Sequence, residues 1–328
     1  MKRLFLIVAA LAFAASAQAA PLTRIVFVTD WKAQAEHGGF YEALALGYYK
    51  QHGLDVRIRE GGPSVNVPQL LAGGAADFGI GSNSFVAFNL LKAGVSVRAV
   101  MALFQKDPTV LMTHPRADVK RLADLKGKPI MISDASVNTM WPWLKAKYGF
   151  SDTQIRKYTF NLAPFLVDPD AVQEGYLTSE PYTVQTKAHF TPQIFLLADN
   201  GYSGYGNLVL VPQRWIDKKR DAVQAFYNAT RLGWSSYLNG DPGPANALIK
   251  RDNPEMSDAL IAQAIAKMKS HGIVESGDAK TFGIGAMTPP RWRDFFNTAV
   301  AEGLYPKSLP YQNAYDLSFM SNAPQYFE

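Results

Sequence analysis

Short β-branched segments alternate with helical segments twice along this 328-residue chain, and the alternation sets narrow limits on its fold. The first series begins with a strand predicted at Thr23–Thr29 and extends to another predicted at 95–103. The second begins at Thr109 and ends with a strand predicted at Ile194–Leu197. Strands that alternate with helices at this spacing form mainly parallel sheets covered on both faces. We therefore predict an α/β fold with two similar halves.

Two crossings are expected to join the halves, one near residues 103–110 and the other near 198–209. The predicted first lobe comprises residues 20–105 and 205–328, and the second lobe comprises 106–204. From Asp217 onward the pattern is mainly helical, and we assign these helices to the first lobe. The predicted architecture is two-lobed, with two mixed or parallel sheets flanked by helices. Two connecting segments would let the lobes hinge over a cleft.

The N-terminal segment has the pattern of a secretory signal peptide. Lys2 and Arg3 precede an apolar run over residues 4–14, and Ala17-Gln18-Ala19 supplies small residues before the predicted cleavage site. We predict a signal peptide over residues 1–19. The alternative, a membrane anchor, is disfavoured because the run is short for a bilayer. The chain lacks the cysteine that a lipid anchor requires, so we expect a soluble protein of the bacterial periplasm.

The composition argues against several classes of enzyme and binding protein. The absence of cysteine rules out disulfides, a thiolate zinc site and a catalytic thiol. The five histidines show no metal-ligand spacing, and the sequence has neither a GxSxG elbow nor a nucleotide-phosphate loop. The formal net charge of +5 is not concentrated in a basic run. We therefore expect no catalytic residues, no metal, no cofactor and no nucleic-acid partner, and we expect a monomer.

Ligands of open α/β sheets bind beyond the carboxyl ends of the strands. This rule selects five segments that would line the cleft: Asp30–Gly39, Gly61–Asn66, Gly81–Ser84, Ser133–Asn138 and Asn161–Glu180. They hold the residues that we expect to contact a ligand.

Trp31 and Glu180 are the two most informative candidates. Trp31 follows the first strand, where its indole can stack on an aromatic ring, although core packing is an alternative. His37 lies in the same loop and can both donate and accept hydrogen bonds, or merely close that loop. Glu180 can accept hydrogen bonds from ligand N–H groups, although a carboxylate at a helix start is also favoured by the helix dipole. Tyr182 could stack on a ligand or close the rim.

Further candidates offer polar or aromatic side chains at predicted loops. Ser64 follows a glycine turn and could instead be an ordinary helix N-cap. Trp141 begins a helix of the second half, and Tyr205 lies in the second crossing. Four asparagines in predicted loops complete the candidate set: Asn66, Asn83, Asn138 and Asn161.

The chain resembles periplasmic substrate-binding proteins of the thiamine-pyrimidine-precursor type, within the wider sulfonate, nitrate and taurine set. The motifs that carry the resemblance run in order over most of the chain: Asp30-Trp31, His37-Gly38-Gly39-Phe40, Gly47-Tyr48-Tyr49, Gly53-Leu54-Asp55-Val56, Gln69, Gly73, Ala76-Asp77-Phe78, Asp124-Leu125-Lys126-Gly127-Lys128 and Glu180-Pro181-Tyr182. The resemblance implies the type II binding-protein fold. It also implies that the Trp31 position stacks a heterocycle and that the Glu180 position bonds an exocyclic amine or ring N–H.

These expectations favour a binding protein for a pyrimidine or flavin precursor, which delivers its ligand to an ATP-driven membrane permease. One rival is the same fold binding an aliphatic sulfonate, nitrate or a similar anion. Another is a sensor that reports its ligand to a membrane receptor. The third is the related eukaryotic enzyme of thiamine-pyrimidine synthesis, whose lysine and histidine positions correspond here to Gly81 and Phe85. That enzyme also has a cysteine run that this chain lacks.

Overall fold

The computed structural model describes residues 21–62, 64–159 and 161–320. The signal peptide predicted over residues 1–19 lies outside these residues. Within the described ranges, each helix is too short or too polar to cross a bilayer. The described chain forms two five-stranded sheets, and the architecture is the predicted two-lobed α/β fold.

The first sheet has the strand order β2-β1-β3-β10-β4. Strand β1 pairs in parallel with β2 and β3, whereas β10 is antiparallel to both β3 and β4. The sheet is therefore mixed. Its strands are β1 Thr23–Val28, β2 Leu54–Arg59, β3 Phe78–Asn83, β4 Val97–Phe104 and β10 Gly206–Pro212.

The second sheet has the order β7-β6-β8-β5-β9 and is also mixed. Strand β6 is parallel to β7 and β8, and β5 is antiparallel to β8 and β9. Its strands are β5 Thr109–Thr113, β6 Ile130–Ile132, β7 Ile155–Lys157, β8 Val172–Tyr176 and β9 Gln193–Leu196. We call each sheet, with the helices packed on it, the first or second lobe. The residue bounds of the lobes given above stay a prediction.

Thirteen α-helices occur in the described residues: α1 Gly38–Ala45, α2 Tyr48–Gln51, α3 Val67–Ala72, α4 Ser84–Lys92, α5 Met140–Tyr148, α6 Ala163–Val167, α7 Glu180–Ala188, α8 Gln213–Lys218, α9 Arg220–Asn239, α10 Gly243–Asp252, α11 Asp258–Ser270, α12 Ala279–Phe282 and α13 Pro289–Ala301. Six 3-10 helices also occur in the described residues: Ala35–His37, Leu122–Leu125, Ser136–Asn138, Asp152–Gln154, Leu197–Asn200 and Tyr311–Ala314. Helices α9 and α10 pack on α1, beside the first sheet.

Two glycines place the start of α1 directly on α9. A Cβ atom at Gly38 would overlap the ring of Tyr237, and one at Gly39 would overlap the ring of Trp234. Both rings are fully buried. Because α1 packs so closely on α9, it has no room to shift. The loop that joins β1 to α1 is therefore held at both ends. This loop carries Trp31 and His37.

The sequence-based assignment was wrong in two segments that bear on the cleft. The sequence pattern predicts a helix over about Asp170–Glu174, but Val172–Tyr176 is strand β8. The end of the second crossing, predicted near 198–209, belongs to strand β10. Strand β8 lies between β6 and β5, and β10 lies between β3 and β4. Central placement in a sheet outweighs weak local preference, since neighbouring strands satisfy the backbone hydrogen bonds.

Candidate functional site

A cavity of about 970 Å³ lies between the lobes. All five segments selected from the sequence contribute to its lining. The wall from the first lobe includes Trp31, Asn66 and Asn83, and the wall from the second includes Ser133 and Glu180. Pockets of this size accommodate small organic molecules. The cleft is therefore the candidate ligand site.

Trp31 is only partly buried and lines the cavity, so its indole is not an interior core residue. His37, in the same loop, is 3% exposed. Its Nε2 lies 3.2 Å from Oδ1 of Asp30, and its Nδ1 has no hydrogen-bond partner among the described residues. The loop after β1 thus presents an aromatic surface beside an imidazole that is oriented by a carboxylate.

Glu180 is the first residue of α7 and faces the cavity from the second lobe. Its Oε2 accepts a hydrogen bond from the backbone N–H of Tyr176 at 2.8 Å, and its Oε1 accepts one from the Tyr158 hydroxyl at 3.3 Å. Gly175 makes this position possible, because a Cβ there would lie 2.7 Å from the Glu180 Cβ. The carboxylate is therefore held in place by β8 and retains lone pairs for a ligand.

A second carboxylate of the same lobe, Glu174, is 9% exposed and also lines the cavity. Its Oε2 accepts from the Ser133 backbone N–H at 2.7 Å, and its Oε1 accepts from the hydroxyls of Ser133 and Ser136. The serines follow β6, next to β8 in the sheet. The Glu174 carboxylate and the hydroxyls of Ser133 and Ser136 therefore form one hydrogen-bonded cluster at the ends of two neighbouring strands.

A third carboxylate, Glu36, joins the lobes. It is 2% exposed, and its Oε1 accepts a hydrogen bond from the hydroxyl of Thr178 in the second lobe. The carbonyl of Thr178 accepts a hydrogen bond from Gln263 of α11, in the first lobe. Asn89 adds another bridge, since its amide donates to the carbonyl of Asn138 at 2.9 Å. These contacts hold the lobes together around the cavity.

Burial raises the pKa of all three carboxyl groups. Desolvation raises the pKa of Glu180 from 4.5 to about 7, against the hydrogen bond from Tyr176, and it also raises the pKa of Glu36 and of Glu174. At the first crossing, desolvation raises the pKa of Asp107 from 3.8 to about 6. Perturbed carboxyl groups that gather in one cleft are typical of a functional site.

We expect the ligand-free protein to lose stability as the pH rises from about 5 to 7. Between 4.5 and about 7 the folded Glu180 keeps its proton, whereas the unfolded chain has released it. The folded state then binds more protons, so the free energy of unfolding falls with increasing pH. Denaturant titrations at several pH values in this range should show that the free energy of unfolding falls more steeply with pH for the wild type than for Glu180→Gln. Equal slopes would contradict the pKa of about 7.

We expect Thr178→Val to weaken ligand binding about tenfold, mainly through faster dissociation. The substitution removes the hydroxyl that donates to Glu36 across the lobes, and a hydrogen bond to a charged group contributes roughly 1.5–3 kcal/mol. Stopped-flow dissociation measures the effect. The matched control is Thr183→Val, because within the described residues the Thr183 hydroxyl donates to the Ser179 carbonyl, in the same lobe. Equal dissociation rates in both variants would mean that the bridge does not hold the cleft closed.

Seven of the residues predicted to bind a ligand line the cavity: Trp31, His37, Ser64, Asn66, Asn83, Asn138 and Glu180. Ser64 is not the N-cap of the helix after the glycine turn. Asn66 caps α3 instead, and its Oδ1 accepts from the Gln69 N–H at 3.1 Å. Asn83 similarly accepts from the Phe85 N–H at 3.1 Å. Their roles as ligand contacts stay predictions.

Four other predicted residues lie outside the cavity lining, and two of them are core aromatics. Trp141 is 2% exposed, and its indole N–H donates to Asp152 at 2.8 Å. Tyr205 is 1% exposed, and its hydroxyl donates to Asp278 and accepts from the Thr288 N–H. The polar group of each ring has a hydrogen-bond partner in the protein, so the rest of the ring can be buried without an unsatisfied donor.

The other two residues outside the lining are exposed or point elsewhere. Asn161 is exposed, and its Oδ1 accepts from the Ala163 N–H at 2.9 Å, at the start of α6. Tyr182 lies two residues after Glu180 on α7. Residues two apart do not share a helix face, so the helix that directs Glu180 into the cleft directs Tyr182 away from it.

We expect Tyr205→Phe to reduce stability without changing ligand affinity. The substitution leaves the buried N–H of Thr288 without its partner and removes one of the hydrogen bonds to the Asp278 carboxylate, which costs about 1–3 kcal/mol. Denaturant unfolding and calorimetry with the same ligand separate the two effects. A large loss of affinity at unchanged stability would place Tyr205 in the ligand site.

The sequence-based prediction missed several residues that line the cavity: Asp30, Glu36, Ser133, Ser136, Tyr158, Glu174, Tyr176 and Asn207. Most lie in segments that the carboxyl-end rule had selected. A consistent application of that rule to every acidic residue would have found Asp30 and Glu36. Asn207 gave no local signal, because its segment was predicted to be a connection.

The sequence model described as "NMT1/THI5 like" matches residues 34–244, which is more than half of the chain. Two named relatives are each 22% identical to this chain. The formylaminopyrimidine-binding protein of Halalkalibacterium halodurans aligns over 83% of each chain. The riboflavin-binding protein RibY of Chloroflexus aurantiacus aligns over 91% of this chain and 86% of its own.

Solved structures of the same fold include the alkanesulfonate-binding protein SsuA of Xanthomonas axonopodis pv. citri bound to MOPS. It has a TM-score of 0.65 and 15% identity, and the match covers 92% of this chain and all of the other. At this identity the likeness establishes the fold alone. The two lobes and mixed sheets described above are those of periplasmic binding proteins.

Proposed function

Because this chain belongs to the NMT1/THI5 like family, we propose that it binds a small nitrogen heterocycle, of the pyrimidine or flavin-precursor type, in the cleft between its lobes. The chain is a solute-binding protein and not an enzyme, as the sequence predicted. Its two named relatives bind a formylaminopyrimidine and riboflavin, and both compounds contain nitrogen heterocycles.

One observation supports the choice of ligand: an indole and a partly buried carboxylate line the same cavity from opposite lobes. Trp31 supplies a flat apolar surface, and Glu180 supplies hydrogen-bond acceptors. A nitrogen heterocycle matches both groups, because its ring can stack while its amine or ring N–H donates. A sulfonate or nitrate would place negative charge beside the carboxylate, which is unfavourable.

Delivery to a membrane permease powered by ATP hydrolysis is the proposed role in the cell. One solved structure of this fold is the ligand-binding component of an ABC-type import system of Staphylococcus aureus. Hinge closure would use the two segments that join the sheets, and ligand binding would favour the closed arrangement. We propose that the protein acts as a monomer in the periplasm after removal of residues 1–19.

Isothermal titration calorimetry with four ligand classes tests the proposed ligand. We expect an aminopyrimidine or a flavin to bind with a micromolar or lower Kd, and an alkanesulfonate and nitrate to show no heat of binding. Purified protein must first be freed of co-purifying ligand by unfolding and refolding. Tight binding of the sulfonate or nitrate without binding of any heterocycle would overturn the proposal in favour of the anion carrier.

A further inference from the structure

The charged residues that line the cavity are strongly unbalanced. Five carboxylates and one imidazole contribute to the lining, and no lysine or arginine of the described chain does. Two of these carboxylates have a basic partner of their own. Asp30 lies against His37, and Asp134 forms an ion pair with Lys157 at 3.1 Å. The other three are Glu36, Glu174 and Glu180.

The three remaining carboxylates have neutral partners only, within the residues that the structure describes. Glu36 accepts from a threonine hydroxyl, Glu174 from two serine hydroxyls and a backbone N–H, and Glu180 from a tyrosine hydroxyl and a backbone N–H. Buried charges in proteins are ordinarily paired or bound to a metal. Desolvation raises the pKa of each of these carboxyl groups, so the ionised form of each is disfavoured in the ligand-free protein.

An independent feature also indicates a ligand that donates hydrogen bonds. Asn207 lines the cavity and is 4% exposed, and its backbone has a left-handed φ of 47°. Its amide nitrogen donates to the Glu36 carbonyl at 2.8 Å, while its amide oxygen has no partner among the described residues. Asparagine adopts this conformation more readily than most non-glycine residues, so the position suits its amide side chain. The structure therefore keeps an unused acceptor beside Glu36.

A metal ion does not account for these acceptors. In the described part of the chain, no group of three or more histidine or acidic side chains has an arrangement that could hold one. Glu36 lies in the first lobe and Glu174 and Glu180 lie in the second, so the three carboxylates approach the cavity from different sides. A cationic organic ligand that spans the cavity would face carboxylates of both lobes.

We propose that the cleft selects a heterocycle that carries a positive charge, as a protonated amine or a charged ring nitrogen, over its neutral and anionic counterparts. The inference rests on the function proposed above and narrows its ligand class. The ligand supplies the counter-charge that Glu36, Glu174 and Glu180 lack, and its N–H groups meet the free acceptor of Asn207. A phosphate ester of the same ring is excluded by repulsion.

Three aminopyrimidines that differ at a single ring substituent provide the test. The substituent is an aminomethyl group (a cation at pH 7), a hydroxymethyl group (neutral) or the phosphate ester of that alcohol (an anion). Calorimetry at pH 7 should give the cation at least tenfold tighter binding than the alcohol, and no detectable binding of the ester. Calorimetry in two buffers of different ionisation enthalpy should also show proton release when the cation binds at pH 6.

Glu174→Gln tests the source of the preference, because it removes one buried charge and keeps the shape of the side chain. We expect the ratio of the two dissociation constants, alcohol over cation, to fall at least threefold in this variant. Glu275→Gln, at an exposed carboxylate outside the cavity lining, is the matched control and should leave the ratio unchanged. Glu36→Gln provides a second test in case Glu174→Gln fails to fold.

The outcomes separate the two proposals. Equal or tighter binding of the neutral alcohol or the phosphate ester would overturn the charge preference and leave the heterocycle function standing. An unchanged ratio in both cleft variants would also overturn it. If none of the three compounds binds and no flavin binds, the proposed function itself fails and the charge preference with it.

Discussion

Trp31→Ala is expected to weaken heterocycle binding by roughly 30- to 1000-fold. Truncation of a large aromatic at the centre of a binding site costs about 2–4 kcal/mol, and each 1.4 kcal/mol is tenfold in affinity. Trp31 lines the cavity and is not fully buried by the protein, so part of its indole can contact a ligand. Trp31→Phe should retain part of the affinity, because a smaller ring can still stack. Calorimetry with the best aminopyrimidine or flavin measures both.

Trp141→Phe is the matched control for this prediction. Trp141 is buried in the second lobe and bonded to Asp152, outside the cavity lining. The control should lower stability and leave the affinity within about twofold of the wild type, at the level of ordinary distant substitutions. Ligand-induced change in tryptophan fluorescence should persist in this variant and disappear in Trp31→Phe. Unchanged affinity in Trp31→Ala would contradict the proposal that the Trp31 indole stacks on the ligand.

Glu180→Gln is expected to weaken binding of the same heterocycle by roughly 10- to 150-fold. A hydrogen bond to a charged group contributes about 1.5–3 kcal/mol, and the amide presents an N–H where the ligand also donates. The tyrosine hydroxyl and backbone N–H that hold the carboxylate would then hold an amide, so the fold should be retained. Loss of affinity together with unchanged or higher thermal stability is the expected pattern.

Glu180→Asp distinguishes the contribution of the negative charge from that of the side-chain length. The shorter carboxylate keeps the acceptor but withdraws it from the cavity, so we expect an affinity between those of the wild type and the glutamine variant. A sulfonate offers the opposite test, because loss of the negative charge should leave its binding unchanged or improve it. Heterocycle binding that is indifferent to Glu180→Gln would contradict the assigned role of this carboxylate.

The sequence predicted the lobes, most strands and the loops that line the cleft because these features depend on local patterns. Hydrophobic alternation marks the strands, and the carboxyl-end rule then selects the loops after them. Trp31 and Glu180 were found in this way. Both lie in the cavity lining of the structure.

The polar residues between the lobes could not be predicted in the same way. The hydrogen-bond partner of Glu36 is Thr178, which is 142 residues away in the chain, and no local sequence pattern indicates that contact. Glu174 was assigned to a helix because the short segment around it has weak strand preference, and its position in the sheet depends on β5 and β6. Trp141 became a core residue because Asp152 satisfies its indole N–H. In each case a tertiary contact decided what the local pattern left open.

A crystal structure of the protein with its tightest heterocyclic ligand tests the central claim most directly. We predict that the ring lies against the indole of Trp31 and that a ligand nitrogen lies about 3 Å from the Glu180 carboxylate, at hydrogen-bond distance. A ligand seated elsewhere, or an anion held by backbone N–H groups with Glu180 turned away, would contradict the account.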